Sequence, residues 1–278
     1  MRTNFFVAAV IATILGFSAL YWQSNSPEIS YHSENEYGPI WVYDSKGVRC
    51  MSFLEPPAHI IQSCMSLSNK KVVLFDYAQM FLSTLFINED PRKILVIGLG
   101  GATVQKALNI LTPNAKIHSV EINPAIPKVV EKYFEYEFNY TNKIFVEDGV
   151  KYVKNSPKNR YDLILIDAFS IDYIPDGFLT HEFMKNVKEI LTENGVVAMN
   201  TFVSSKKSDL ESQLFKDTFG EYYNLKKANS RIMVAQANGK LPEYQQIAVD
   251  SNLWLYRMAE VGINQTALLS LYKGNLKK

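Results

Sequence analysis

Cysteine and histidine are scarce in this chain, two and four among 278 residues, and neither type clusters. His32, His59, His118 and His181 lie far apart, and two cysteines give no metal-ligand spacing, so no metal site is expected. An excess of charge of one sign is missing too. The 29 Lys and Arg balance 28 Asp and Glu, for a formal net charge of +1. A nucleic-acid binder needs a basic stripe to replace phosphate counterions, and this composition argues against one. The short groups Lys70-Lys71, Lys206-Lys207 and Lys277-Lys278 read as solvated surface. Repeats of solenoid length and low-complexity tracts are also absent. What remains is a chain with 47% hydrophobic residues, long enough for one large domain and a smaller appendage.

Residues 5–22 form an uncharged, mostly apolar run between Arg2 and the polar Gln23-Ser24-Asn25-Ser26. Its length sits at the lower limit for crossing a bilayer and also resembles a secretory signal. Phe17 is bulky for cleavage after Ala19, which favours an uncleaved signal anchor. Arg2 would then stay on the cytoplasmic side and the body would lie outside, membrane-anchored or exported. In an oxidising compartment Cys50 and Cys64 could pair; two half-buried thiols are the equal alternative.

The expected partition is a signal anchor or signal peptide over 1–24, a small β-rich region over 25–70, and a nucleoside-binding domain over 71–278. In the β-rich region, Ile40-Trp41-Val42-Tyr43 and residues 48–53 flank Asp44-Ser45-Lys46-Gly47, a hairpin signal. A helical pattern over 76–86 ends at Asn88-Glu89-Asp90-Pro91. Strands are then expected at 93–97, 116–121, 143–146, 162–167, 196–200 and 231–236. Helices are expected at 103–111, 124–134, 149–153, 180–191 and 208–219, with Glu193-Asn194-Gly195 as a helix stop. Short apolar strands alternating with amphipathic helices mean a parallel sheet covered on both faces. The last forty or so residues read as mixed helix and loop.

The chemistry gathers at strand ends, where open parallel sheets bind their ligands. Lys93-Ile94-Leu95-Val96-Ile97 runs into Gly98-Leu99-Gly100-Gly101, and a helix opens at Thr103. Gly98 and Gly100 allow a tight turn and close approach to a ligand at a helix N-terminus. Glu121, at the end of the next strand, has the spacing of a carboxylate that accepts ribose hydroxyls. Asp148, followed by Gly149, is placed to accept from an adenine amino group, or to cap a helix. Asp167 ends the most apolar strand and is placed to orient or deprotonate an amine. Thr103 stands where a dinucleotide fingerprint wants Gly or Ala, which weakens an NAD-dependent oxidoreductase.

With these residues in order, residues 37–235 resemble the spermidine synthase (polyamine aminopropyltransferase) family. Asp76-Tyr77-Ala78-Gln79-Met80, Ile97-Gly98-Leu99-Gly100-Gly101, Val120-Glu121-Ile122-Asn123, Asp148-Gly149 and Leu165-Ile166-Asp167 carry the resemblance. Leu179-Thr180-His181-Glu182-Phe183 and Gly195-Val196-Val197 extend it. It implies a class I methyltransferase-like (Rossmann-like) α/β fold and decarboxylated S-adenosylmethionine as co-substrate, with no covalently bound cofactor. It further implies Glu121 on the ribose, Asp148 on adenine, Asp167 activating the amine, Tyr77 beside it, and Gln62 as a substrate-binding residue. The implied partner is a small-molecule amine; membrane contact through the N-terminal segment is expected from the apolar run, and a homodimer is a further expectation. The departures are specific. Gly101 stands where typical members carry aspartate, Ala78 where a histidine is usual, and Ser170 at the second position of an Asp-x-x-Asp pair, with Asp172 as its substitute. The alternatives are a methyltransferase using intact S-adenosylmethionine and a non-catalytic nucleoside- or polyamine-binding protein.

Overall fold

The computed structural model describes residues 26–57, 61–169 and 173–277. The expected signal anchor and the expected substrate residue Asp172 lie outside the described residues. No helix among the described residues is long and apolar enough to cross a membrane.

The β-rich region is a four-stranded antiparallel sheet: β1 (Glu28–Asn35), β2 (Gly38–Ser45), β3 (Val48–Ser52) and β4 (Ser63–Ser66), in that order. The expected hairpin forms between β2 and β3. Lys46 and Gly47 take φ of 50° and 78°, the left-handed pair that matches strand twist in a two-residue turn. Cys50 and Cys64 face each other in the β3–β4 register and are joined as a disulfide, which decides between the two alternatives left open above.

Helix α1 (Asp76–Leu82) continues as a 3-10 turn, Ser83–Phe86, and leads into the main sheet. That sheet begins with β5 (Lys93–Ile97), α2 (Thr103–Leu111), β6 (Lys116–Glu121), α3 (Ile126–Phe134) and β7 (Asn142–Val146). It continues through α4 (Gly149–Asn155), β8 (Tyr161–Ile166), α5 (His181–Ile190), β9 (Leu191–Phe202) and α6 (Ser208–Phe219). Strands β10 (Tyr222–Lys227) and β11 (Ser230–Gln236) follow. The last segment holds α7 (Tyr244–Asp250), α8 (Leu255–Glu260), α9 (Gln265–Ser270) and the short β12 (Leu276–Lys277).

The strand order is β12-β10-β11-β9-β8-β5-β6-β7. Strands β5 to β9 are parallel, but β11 pairs antiparallel with β9, and β10 and β12 extend that edge antiparallel. The sheet is therefore mixed where the alternation of elements suggested a parallel one. Strand β10 has no sequence signal of its own, since its turn into β11 contains no Asn-Gly or Asp-Gly and is made by Ala228 at φ 50°. Glu193-Asn194-Gly195 does not separate helix from strand. Helix α5 ends at Ile190, and these residues form an irregular stretch inside β9, where the register against β8 shifts between Tyr161 and Leu163.

Residues of opposite parity divide between the two sheet faces. Ile94, Val96, Leu163, Leu165, Val196 and Ala198 pack on one side against α1, α2 and the C-terminal helices. Leu95, Ile97, Ile164, Ile166, Val197 and Met199 pack on the other against α4, α5 and α6. A third core holds the small sheet to the glycine loop and α3 through Ile40, Val42, Met51 and Met65 against Leu99, Ala102, Val130 and Phe134. This packing fixes β4 beside Gly100 and Thr103.

An ion pair is buried on the α6 face. Arg231 Nη1 donates to Glu211 Oε2 at 2.6 Å, with the side chains 2% and 0% exposed. Glu211 also accepts from Tyr173 and Ser205, and Arg231 donates to Ser212 and Asn224. Breaking such a pair from one side leaves an uncompensated buried charge. Arg231→Met is expected to cost about 3–5 kcal/mol by chemical denaturation, whereas Arg231→Met with Glu211→Leu should recover most of it.

Candidate active site

The glycine loop turns because the neighbouring strand end leaves no room for a side chain. Gly98 has φ 97°, and a Cβ there would lie 2.1 Å from the Asp167 carbonyl oxygen. Three strand ends are laced at this point: Asp167 N–H donates to Ile97 O at 2.8 Å, joining β8 to β5, and Gly98 N–H to Val120 O at 2.8 Å, joining β5 to β6. Gly100 is also left-handed, at φ 49°, and Ala102 follows at φ 55° as the residue before α2. The loop predicted at Gly98 and Gly100 thus needs left-handed backbone that few other residues can build.

Glu121 reaches across to that loop. Its two oxygens accept from Leu99 N–H at 3.1 Å and Asn123 N–H at 2.9 Å. Burial raises the Glu121 pKa, and the amides of Asn123, Leu99 and Ile122 pull it back. Ile122 and Val146 are 46% and 50% exposed, and the register sets Val146 opposite Glu121. Large apolar side chains left open at adjoining strand tips suit the face of a flat heterocycle.

Asp148 is the N-cap of α4, its Oδ1 accepting from Lys151 N–H at 2.9 Å. The capping alternative is therefore realised, with one oxygen engaged. Gly149 is buried, and a Cβ there would come within 2.6 Å of Ile97 Cγ2. Its small size brings α4 onto the end of β5.

Asp167 and Tyr77, far apart in sequence, are brought together. The Asp167 carboxylate takes hydrogen bonds from Tyr77 and from Asn200, whose Nδ2 lies 2.9 Å from Oδ1. Burial pushes the Asp167 pKa up to about 6, against the lowering effect of those two donors. Tyr77 is raised well above its ordinary value by burial first and then by the Asp167 charge. Gln62 meets this group through its backbone, with its carbonyl oxygen 3.4 Å from the Tyr77 hydroxyl. Asn200 was not anticipated; a polar residue directly after the apolar run Val196-Val197-Ala198-Met199 is the signal that marks it.

The residues that replace family positions are packed around their small size. A Cβ at Gly101 would lie 2.7 Å from Ser63 Oγ and 2.9 Å from Phe134 Cδ1, and Ser63 itself hydrogen-bonds Thr103 at 3.0 Å. Ala78 is fully buried. Restoring an aspartate or a histidine at these positions would require the surroundings to move.

A carboxylate whose pKa rises on folding has a defined effect on stability. The Asp167 contribution is full below its unfolded value near 4 and is lost as pH rises through about 6. Asp167→Asn is thus expected to raise the stability at pH 7–8, by about 3 kcal/mol at most for a shift from 3.8 to about 6, and so the melting temperature, and to give little gain at pH 4. Calorimetric melts across that range check the sign.

Residues 75–253 match the family of the spermine/spermidine synthase domain. The polyamine aminopropyltransferase of Vibrio vulnificus (strain CMCP6) is 33% identical over 225 residues, covering 79% of this chain and 75% of that protein. The crystal structure of a probable spermidine synthase from Corynebacterium glutamicum ATCC 13032 superposes with a TM-score of 0.69 at 16% identity, over 89% of this chain and 95% of that one. A spermidine synthase in complex with the transition-state analogue AdoDATO gives a TM-score of 0.69 at 16% identity, over 88% and 85%.

Proposed function

The chain belongs to the spermine/spermidine synthase family, and we propose that it transfers the aminopropyl group of decarboxylated S-adenosylmethionine to an amine. The observation that carries this reading is the Asp167 carboxylate, half-buried and hydrogen-bonded by Tyr77 and Asn200 beside a glycine loop built for a nucleoside. Glu121 holds the ribose hydroxyls with the lone pairs its two backbone donors leave over. The adenine lies against Ile122 and Val146, and the second oxygen of Asp148 accepts from its amino group.

Alkyl amines carry a proton at neutral pH and have no lone pair to attack with until it is removed. Asp167, with a pKa near 6, is a stronger base than an ordinary aspartate and still ionised at pH 7. It takes the proton from the ammonium. The nitrogen lone pair then forms a bond to the methylene carbon beside the sulfonium, the carbon–sulfur pair goes to sulfur, and neutral methylthioadenosine leaves. Tyr77 holds the carboxylate in place. Gln62 contributes its carbonyl, and Asp172, five positions after Asp167 in the sequence, is the residue assigned to the distal ammonium of a diamine.

The test is release of methylthioadenosine from decarboxylated S-adenosylmethionine with putrescine. Wild-type protein should release it, and Asp167→Asn should be slower by about 10²–10⁴-fold, the usual contribution of a positioned acid–base group. Formation of S-adenosylhomocysteine from intact S-adenosylmethionine would instead assign a methyltransferase.

The body is read as extracytoplasmic, anchored through residues 5–22 or exported, and homodimeric. Support comes from that apolar run after Arg2, from the Cys50–Cys64 disulfide, and from the exposed β1 edge of the small sheet. Disulfides persist in oxidising compartments. A reporter fused after Lys278 should be active only outside the cytoplasm. Reduction should lower stability by about 3 kcal/mol, the chain-entropy value for a loop of this size. Sedimentation of the protein without residues 1–24 checks the dimer.

A further inference from the structure

Tyr77 steadies the Asp167 carboxylate, and Tyr77 is itself held from the small sheet. Its ring stacks on Phe75, with centroids 5.9 Å apart and planes 22° from parallel. Phe75 is the residue before α1, and its carbonyl accepts from Gln79 N–H at 3.1 Å, so its place sets where the helix begins. The Phe75 side chain also packs against a cluster of Tyr43, Cys50 and Cys64. The second hold is Gln62, whose carbonyl oxygen lies 3.4 Å from the Tyr77 hydroxyl. Gln62 is fixed in turn by its N–H, which donates to Met51 O at 3.0 Å. Both holds converge on the Cys50–Cys64 disulfide, which joins β3 to β4 beside Met51 and two residues after Gln62.

Strand β4 has little else in the small sheet to keep it in place. It is four residues long, stands at the edge and pairs with β3 alone. Short edge strands with few neighbours are the elements that open first. A cross-link between cysteines 14 positions apart removes most of the open arrangements. The nucleoside half leans on this strand less, because Glu121 and Asp148 are fixed by backbone amides of the glycine loop, their own turn and α4.

We propose that the Cys50–Cys64 disulfide and Phe75 are positioning residues for the transfer, holding Tyr77 on Asp167, so that the site works at full rate only in its oxidised form. A dithiol reductant releases the hold. Its thiolate attacks one sulfur, the S–S bond breaks, two electrons and two protons pass to Cys50 and Cys64, and the reductant leaves as its own cyclic disulfide. With β4 free to open, the Tyr77 hydroxyl spends less time on Asp167, and the carboxylate loses a donor that favours its charged form. Tyr77 from α1 is the titratable group that meets Asp167, Asn200 from β9 is uncharged, and β5 presents Gly98. Asp76, next to Tyr77, is paired with Lys227 at 2.8 Å. The acid limb of activity, which needs Asp167 ionised, therefore moves up when the bridge is lost. The inference rests on aminopropyl transfer as the reaction of this site.

The experiment uses the full chain with decarboxylated S-adenosylmethionine and putrescine, well below the melting temperature. Cys50→Ala with Cys64→Ala, and separately Phe75→Leu, should bind methylthioadenosine within about threefold of wild type by calorimetry, since one strand-edge contact is a small part of that site. Their kcat/KM for putrescine should fall roughly 10–100-fold, the usual cost of a misplaced reacting group. The acid limb of their pH profiles should rise by roughly half a pH unit. Phe75→Tyr keeps the ring and should stay near wild type. In Tyr77→Phe, which has no hydroxyl to hold, removing the bridge should shift the limb no further. If the cysteine pair does not fold when replaced, wild type reduced with dithiothreitol and Phe75→Leu decide by the same readouts. Unchanged kcat/KM without the bridge, a fall with the acid limb unmoved, or an equal further shift in Tyr77→Phe would overturn the positioning role alone. Wild-type protein that releases no methylthioadenosine would instead sink the proposed reaction, and this inference with it.

Discussion

The close contact between the tips of β5 and β8 is the constraint on which the site depends. Asp167 passes so near Gly98 that a Cβ would sit 2.1 Å from its carbonyl oxygen, and the two strand ends share a backbone hydrogen bond. No other residue type permits that approach at φ 97° without strain. The contact brings a loop that can cradle a nucleoside within reach of a carboxylate that can serve an amine. The third partner, Tyr77, reaches them from α1, a helix packed on the opposite core from α4 and α5.

The electrostatics follow from the same packing. Asp167 and Glu121 are both held at strand tips where burial opposes their charge, but they are compensated differently. Glu121 is met by backbone amides of its own turn and of the glycine loop, which fix its orientation. Asp167 is met by two side chains, Tyr77 and Asn200, and burial still lifts its pKa to about 6. A carboxylate fixed by backbone amides and one compensated by side chains from other elements are the kind of pair that can take separate roles in one cleft. Gly101 and Ala78 show the reverse constraint. The side chains lacking at these two positions leave no vacancy, because Ser63 and Phe134 crowd Gly101 and Ala78 is buried in the helix core.

Much of the sheet was legible in the chain because parallel strands are buried on both faces and read as short apolar runs. Lys93–Ile97, Lys116–Glu121, Thr103–Leu111 and Ser208–Phe219 fall where the pattern put them. The antiparallel edge was not legible. Strand β10 is half polar and is made a strand by its pairing with β11, and the direction of β11 is decided by the tight turn at Ala228. Likewise, nothing local announces that Glu193-Asn194-Gly195 stays within β9, since that depends on how β8 slips past it.

At the site, the strand-tip residues Gly98, Gly100, Glu121, Asp148 and Asp167 could be read from position alone, because a carboxylate ending an apolar strand has nowhere to go but the sheet's carboxyl edge. Their partners could not. The pairing of Tyr77 and Asn200 with Asp167 joins residues ninety and thirty-three positions away, and the choice of Asp148 Oδ1 as a helix cap depends on where α4 begins. By itself, then, the amino-acid order determined which chemical groups stand at the strand ends and the alternation that aligns them. Only the tertiary structure decided which of those groups touch, which oxygen is spent and which acceptor is left over, because these depend on side chains brought in from other strands and helices.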